Sequence, residues 1–149
     1  LGNLMQQKTG ADIACMPGAG AAGAFGAGIV AFLGGKLQSG IETVLECVRF
    51  DELLEGADMV FTGEGQMDSQ SLRGKAVIGI AGRAANKHVP VTAVVGSVGD
   101  GAEGGYEMGV SAIFSINRRA ESFDISRGKT KQSFEATMDA IVRLLALKA

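Results

Sequence analysis

Between Thr62 and Lys75 the chain reads Thr-Gly-Glu-Gly-Gln-Met-Asp-Ser-Gln-Ser-Leu-Arg-Gly-Lys, placing two acids, two serines and a Gly-Lys pair in one short stretch. Glu64 and Asp68 carry oxygens suited to a hard cation such as Mg²⁺, and either can accept the proton of a substrate hydroxyl. Lys75 and the flexible backbone N–H groups beside it suit phosphate oxygens. The residue types therefore point to a phosphate ligand handled together with Mg²⁺. A second stretch, Pro17 to Gly28, is almost entirely glycine and alanine. Its Gly18, Gly20 and Gly23 would turn backbone N–H groups toward phosphate or carboxylate oxygens.

Each feature has a plainer reading. Acids in glycine-rich loops often close turns or cap helices, and Asp68 and Ser69 stand where they would cap the following helix. Lys75 opens that helix, where the helix dipole disfavours a cation unless a phosphate offsets it. Gly18 to Gly23 also spells G-x-G-x-x-G, or could serve tight helix packing through small residues. The dinucleotide fingerprint needs a strand before it and an acid ending the next strand. Here the approach is short, Pro17 abuts the first glycine, and the following segment reads helical, although Asp51 can be placed in the acid's role. No Walker A spacing occurs. Ser97 and Asp100 make a weaker second loop, and His88, alone before Val-Pro, reads as a solvent-facing helix end.

The elements that must position these groups follow from hydrophobic spacing. Leu1 to Lys8 reads as the tail of a helix closed by Gly10, and Asp12 to Pro17 as a short extended approach. From Ala21, residues Phe25, Ile29, Phe32 and Leu33 form one apolar stripe, ended by Gly34-Gly35. Ile41 to Phe50 reads as a helix with Ile41, Val44, Leu45 and Val48 on one face. Asp51 then N-caps a short helix to Leu54. Met59 to Phe61 is a strand. Leu72 to Lys87 is a helix with Val77, Ile78, Ala81, Ala84 and Ala85 inward. Val91 to Val95 is a strand buried on both faces, Gly101 to Gly109 allows a short helix, and Ala112 to Ile116 is a third strand. Lys129 to Leu147 closes the chain as a helix, with Phe134, Met138, Ile141, Val142 and Leu145 on one side. Alternating strands and helices predict an α/β fold, a three-layer Rossmann-like parallel sheet. That sheet is expected over residues 51–149. Residues 1–50, with the Gly-rich loop 17–28, are expected to be the end of a second domain.

Together the two glycine-rich stretches resemble the glycerate kinase family, in its bacterial class I branch. The family's P-G-A-G-A-A-G-G segment stands here as Pro17 to Ala24, with Ala24 where Gly is common. Its T-G-E-G-R-x-D-x-Q-(T/S)-x-x-G-K segment stands as Thr62 to Lys75, with Gln66 where Arg is common, and similarity continues through Val91 to Ser97 and Val110 to Ser115. The resemblance implies ATP-dependent phosphorylation of D-glycerate to 2-phosphoglycerate, with Mg²⁺. It implies metal or base work for Glu64 or Asp68, and Lys75 on the transferred phosphoryl group. Thr62, Gly63, Gly65, Ser69, Gln70 and Gly74 would join Gly18, Gly20 and Gly23 around substrate and phosphate. Family chains are more than twice as long, and their amino-terminal segments of A-P-D-S-F-K and G-G-S-A-T-N-D type are absent here. The chain thus reads as a carboxyl-terminal portion whose partner is the missing half. Two other readings stand beside it: a non-catalytic anion- or nucleotide-binding remnant, and an NAD(P)-binding oxidoreductase domain.

Composition narrows the classes further. With 46% hydrophobic residues over 149 positions, there is enough apolar material for a domain core. A net charge of −2 gives no electrostatic case for nucleic acid or an anionic membrane. The basic residues Arg118, Arg119, Arg127, Lys129 and Lys131 alternate with Glu121 and Asp124, as a solvated loop and helix start would. No apolar run reaches bilayer length, and no signal-peptide pattern opens the chain. Cys15 and Cys47 lack C-x-x-C spacing and read as two buried, reduced thiols, so a cytoplasmic protein is expected.

Overall fold

The computed structural model describes residues 2–10, 12–13 and 15–147. The chain divides into two compact units, Leu1–Gly40 and Ile41–Ala149. Residues 41–50, grouped by sequence pattern with the first domain, pack in the second unit.

In the first unit, helix α1 (Gly2–Thr9) closes at Gly10, whose φ is +76°. Residues 12–17, where described, contain no strand: Cys15 and Pro17 lie in turns and the rest are irregular, rather than an extended approach. Helix α2 (Ala21–Leu33) begins irregularly: Ala22, Gly23 and Ala24 are all left-handed, so regular helix starts only at Phe25. Gly34, also left-handed, caps its end through a bond from its N–H to the Ile29 carbonyl. The expected stripe is not a buried one, since Phe25, Phe32 and Leu33 are 67%, 70% and 79% exposed. The small core of this unit is Ile13, Ala19 and Ala27, with Met5, Met16, Val30 and Leu37 against it.

The second unit is α/β. Strands β1 (Val60–Thr62), β3 (Val91–Val95) and β5 (Val110–Ser115) form a parallel sheet in the order β1-β3-β5. Two-residue strands β2 (Gln66–Met67) and β4 (Ser97–Val98) pair in parallel just beyond it. All five residues of β3 are buried, as a central parallel strand covered on both faces requires. On one face Val91, Ala93 and Val95 join Val77, Ile78, Ala81 and Ala84 of helix α5 (Ala76–Ala85) in the main core. On the other, Val94 and Phe61 share a small cavity with Phe134 and Met138 of helix α8 (Thr130–Ala146).

Several expectations shift in detail. Helix α5 starts at Ala76 rather than Leu72, and Ala85 is exposed. Of the expected inner side of α8, Ile141 is buried, whereas Phe134, Val142 and Leu145 are exposed. Helix α3 (Gly40–Cys47) buries Leu45 but leaves Val44 and Val48 exposed. Helix α4 (Phe50–Leu53) has Arg49, not Asp51, at its N-cap. Asp51 instead meets Arg83 of α5 at 2.7 Å, and Glu42 meets the same guanidinium at 2.9 Å, fastening α3 and α4 to α5. These carboxylates raise the Arg83 pKa, the hydrogen bond that Arg83 donates to Glu42 contributing most. Cys15 and Cys47 are exposed, not buried. His88 is exposed just beyond α5, with φ +57°.

Candidate functional site

The carboxyl end of β1 runs into Gly63-Glu64-Gly65, and the end of β3 into Gly96-Ser97. These two exits lie side by side. A Cβ on Gly63 would strike the Val94 carbonyl, and one on Gly96 would strike the Gly65 carbonyl. Only glycine lets the two backbones approach this closely. Their contact is a ladder: Gly96 N–H donates to Glu64 O at 3.0 Å, Ser97 N–H to Gly65 O at 3.1 Å, and Gly99 N–H to Met67 O at 2.8 Å. Met67 is fully buried and anchors the exit from β1 in the main core.

Asp68 closes the turn that follows. Its Oδ1 accepts from the N–H groups of Gln70 (2.8 Å) and Ser71 (3.3 Å), and its Oδ2 from Gln66 Nε2 (3.1 Å). The buried Ser71 hydroxyl donates to Gln66 O and accepts from Asp68 N–H. Asp68 thus shapes a turn over residues 69–74, while the N-cap position of α5 belongs to Lys75. The expected helix-capping role of Asp68 and Ser69 is not what the turn uses. Ser69 N–H instead donates to Asp100 O at 3.0 Å, joining the two loops once more.

Glu64 is different. Its side chain is half-buried, and its Oε1 is buried without a hydrogen-bond donor among the described residues. An unpaired buried carboxylate oxygen costs free energy unless a cation or donor meets it. Lys75 is exposed at the start of α5, with no ion pair to an acid among the described residues. No cluster of three metal-ligating side chains occurs among the described residues. Mg²⁺ carried by a nucleotide takes most ligands from phosphate and water and needs only one or two carboxylates. The Glu64 oxygen meets the one-carboxylate minimum, whereas the Asp68 oxygens already accept three hydrogen bonds in their own turn.

A cleft of about 490 Å³ opens at the carboxyl edge of the sheet, where open α/β sheets bind ligands. Gly65 and Gln66 line it from β1's exit, Gly96 and Ser97 from β3's, and Ile116 and Asn117 from β5's. Its outer wall is helix α7 (Phe123–Arg127) and the first turns of α8. Of the expected site residues Gly65 lines this cleft, as does Ser97 of the weaker second loop; Glu64, Asp68 and Lys75 do not. Sequence reasoning missed Asn117, Phe123 and Arg127, although a loop after a third parallel strand is a signal for this edge. A neighbouring cavity of about 540 Å³ is lined by Arg118, Arg119 and Lys129, so part of that basic run faces a concavity rather than open solvent. Gly18, Gly20 and Gly23 belong to the first unit, where Gly18 and Gly23 are left-handed at φ +83° and +68°. The turns at residues 15–20, with no strand among the described residues before them, lack the context a dinucleotide fingerprint needs.

Comparison with known proteins fits this geometry. The model of the glycerate kinase family matches residues 1–146. A glycerate kinase of Halalkalibacterium halodurans is 47% identical over 122 residues, covering 82% of this chain and 32% of its own length. The glycerate 2-kinase of Escherichia coli K12 is 39% identical over 132 residues, covering 89% and 33% respectively. A crystal structure assigned as glycerate kinase 2 from Salmonella typhimurium LT2 superposes with a TM-score of 0.67 at 30% identity, over 99% of this chain and 38% of that one. The chain therefore spans about a third of the length of these relatives. No helix among the described residues is long and apolar enough to cross a membrane.

Proposed function

The chain belongs to the glycerate kinase family, and on that premise we propose that it forms part of a cytoplasmic ATP-dependent kinase acting on D-glycerate and yielding 2-phosphoglycerate. The observation that carries the reading is the exit from β1. There a buried, donor-free carboxylate oxygen (Glu64) and an unpaired exposed cation (Lys75) flank a turn held by backbone ladder bonds. The substrate C2 oxygen would form a bond to the γ-phosphorus as the bond from that phosphorus to the β–γ bridging oxygen breaks, releasing ADP. The hydroxyl proton would pass to a carboxylate, and Glu64 is better placed than Asp68, whose oxygens already accept three bonds. Lys75 and the loop amides of Gly63 and Gly65 would stabilise charge on the transferred group, since phosphoryl transfer rests on positioning and electrostatics. Glu64 and Asp68 are the residues that would hold Mg²⁺, which when bound neutralises phosphate charge. Thr62, Ser69, Gln70 and Gly74 would shape the phosphate turn. Gly18, Gly20 and Gly23, in a unit proposed to belong to a second domain, would face substrate anions.

The remaining two-thirds of the enzyme, carried by a longer chain in the relatives, would supply the rest of the pocket. The test is ADP release coupled to glycerate consumption by the completed enzyme. We expect Lys75→Ala to lower kcat by at least about a hundredfold; no glycerate-dependent ADP from the completed, folded enzyme would overturn the assignment. The span of only a third of the relatives' length favours one other reading, a module that binds nucleotide without turnover, and binding without product formation identifies it.

A further inference from the structure

The kinase reading assigns the exit from β1 but gives no work to the outer wall of the 490 Å³ cleft. That wall has an unusual composition for an exposed rim. Phe123 is 76% exposed at the mouth of the cleft, and Ile116 lies half-buried in the same lining. Arg127 follows Phe123 by four residues on α7, so the two share one face of that helix. Neither Arg127 nor the nearby Arg118 has an acidic partner among the described residues. The acid of the neighbouring cavity, Glu121, is already held by Lys129 at 3.1 Å and by Arg119 at 3.8 Å. The cleft floor is fixed rather than soft. Ser115 Oγ donates to Gly96 O at 3.3 Å and accepts from Asn117 N–H at 3.0 Å, tying the exits of β3 and β5 together. At the inner end Gly65 presents bare backbone with open space around it beside the exit of β1.

An exposed aromatic, an unpaired cation one helical turn away, and a rigid glycine floor at a strand edge match the parts of a nucleotide. We infer that this cleft is the subsite for the nucleoside part of the phosphoryl donor. Its base stacks on Phe123 against Ile116. Arg127 meets the α- or β-phosphate, and the terminal phosphate lies over Gly65 toward Glu64. The inference rests on the kinase reading for the identity of its ligand. The volume is in the range of small-molecule sites, and stacking of a base on an exposed aromatic ring is a strong, sequence-tolerant contact.

Calorimetric titration of the full 149-residue chain with MgATP, ADP and inorganic triphosphate tests it, using Phe123→Ala, Arg127→Ala and Lys75→Ala. Phe123 is too exposed to hold the fold, and far-ultraviolet circular dichroism checks that each variant is folded. We expect Phe123→Ala to weaken ATP and ADP about tenfold (~1.4 kcal/mol) and to leave triphosphate unchanged. Arg127→Ala should weaken all three by a similar factor. ATP binding that both variants retain within twofold, but that Lys75→Ala weakens, overturns the subsite and leaves the kinase reading standing. Binding that depends on Phe123 and Arg127, in a completed enzyme that makes no phosphoglycerate, keeps the subsite and removes the kinase reading. A folded parent chain that binds no nucleotide at millimolar concentration overturns the subsite. A Phe123→Ala variant that keeps nucleotide affinity but no longer associates with the rest of the enzyme also overturns it, by showing that protein covers the ring.

Discussion

Residues 17–28 and residues 62–75 are both rich in glycine, yet the structure uses the residue in opposite ways. In the first stretch glycine and alanine serve backbone conformation. Gly18 and Gly23 are left-handed, and Ala22 and Ala24 are forced into the same region. The core behind them is three small or medium side chains, and the helix that follows leaves Phe25, Phe32 and Leu33 exposed. In the second stretch Gly74 is left-handed too, but Gly63 serves proximity. Gly63, like Gly96 of the neighbouring exit, has an ordinary φ but no room for a side chain against a backbone carbonyl. The first loop is held by short-range backbone bonds, such as Ala21 N–H to Gly18 O and Ala27 N–H to Ala19 O. The second is held by a ladder of hydrogen bonds and by Met67 in the main core. Equal glycine content therefore hides unequal rigidity, and the preorganised turn belongs to the second loop.

Substitutions can break or sharpen this contrast. Met67→Ala removes the largest fully buried side chain among the described residues from the exit of β1 and should cost roughly 2–5 kcal/mol, read as a lower urea midpoint. If the loss is under ~1 kcal/mol, the exit is not anchored by the core. Gly96→Ala should destabilise by about 1–3 kcal/mol, because its Cβ meets backbone that cannot turn aside. Gly20→Ala, at φ −80° with open space around it, should stay within ~0.5 kcal/mol; comparable losses at the two glycines would erase the distinction. The smallest effect has the opposite sign. Ala24→Gly, at φ +67°, should stabilise by up to ~1 kcal/mol, the relief of a left-handed alanine less the added chain entropy of glycine. A destabilised Ala24→Gly variant in thermal melts would show that the turn is not strained.

The principal strands were readable because each is a short apolar run cut off by turn residues: Met59 to Phe61 before Thr62-Gly63, Val91 to Val95 after Pro90, and Ala112 to Ile116, which the structure starts two residues earlier at Val110 and ends at Ser115. The inward face of α5 was readable for the same reason, its four buried residues recurring at helical spacing. The pairing of β2 with β4 was not, because two residues have no periodicity and become a strand only when another exit lies beside them. Nor was α7, five residues whose polar pattern resembles a loop. The stripes of α2 and α8 were correctly spaced, yet much of each is exposed. Periodicity reports that side chains share a face, and says nothing of whether anything in the chain covers that face.

Local order in the polymer dictated the chemistry on offer: which carboxylates, cation and glycines stand within one turn of a strand's end, since spacing along the chain is covalent and survives any packing. Pairing between distant segments alone decided which of these groups are already engaged. Asp68 is drawn into its own turn, Glu64 is left with a bare oxygen, and Phe123 and Arg127 arrive at the same edge after two βαβ crossovers and a loop, because parallel strands collect their carboxyl ends on one side of a sheet.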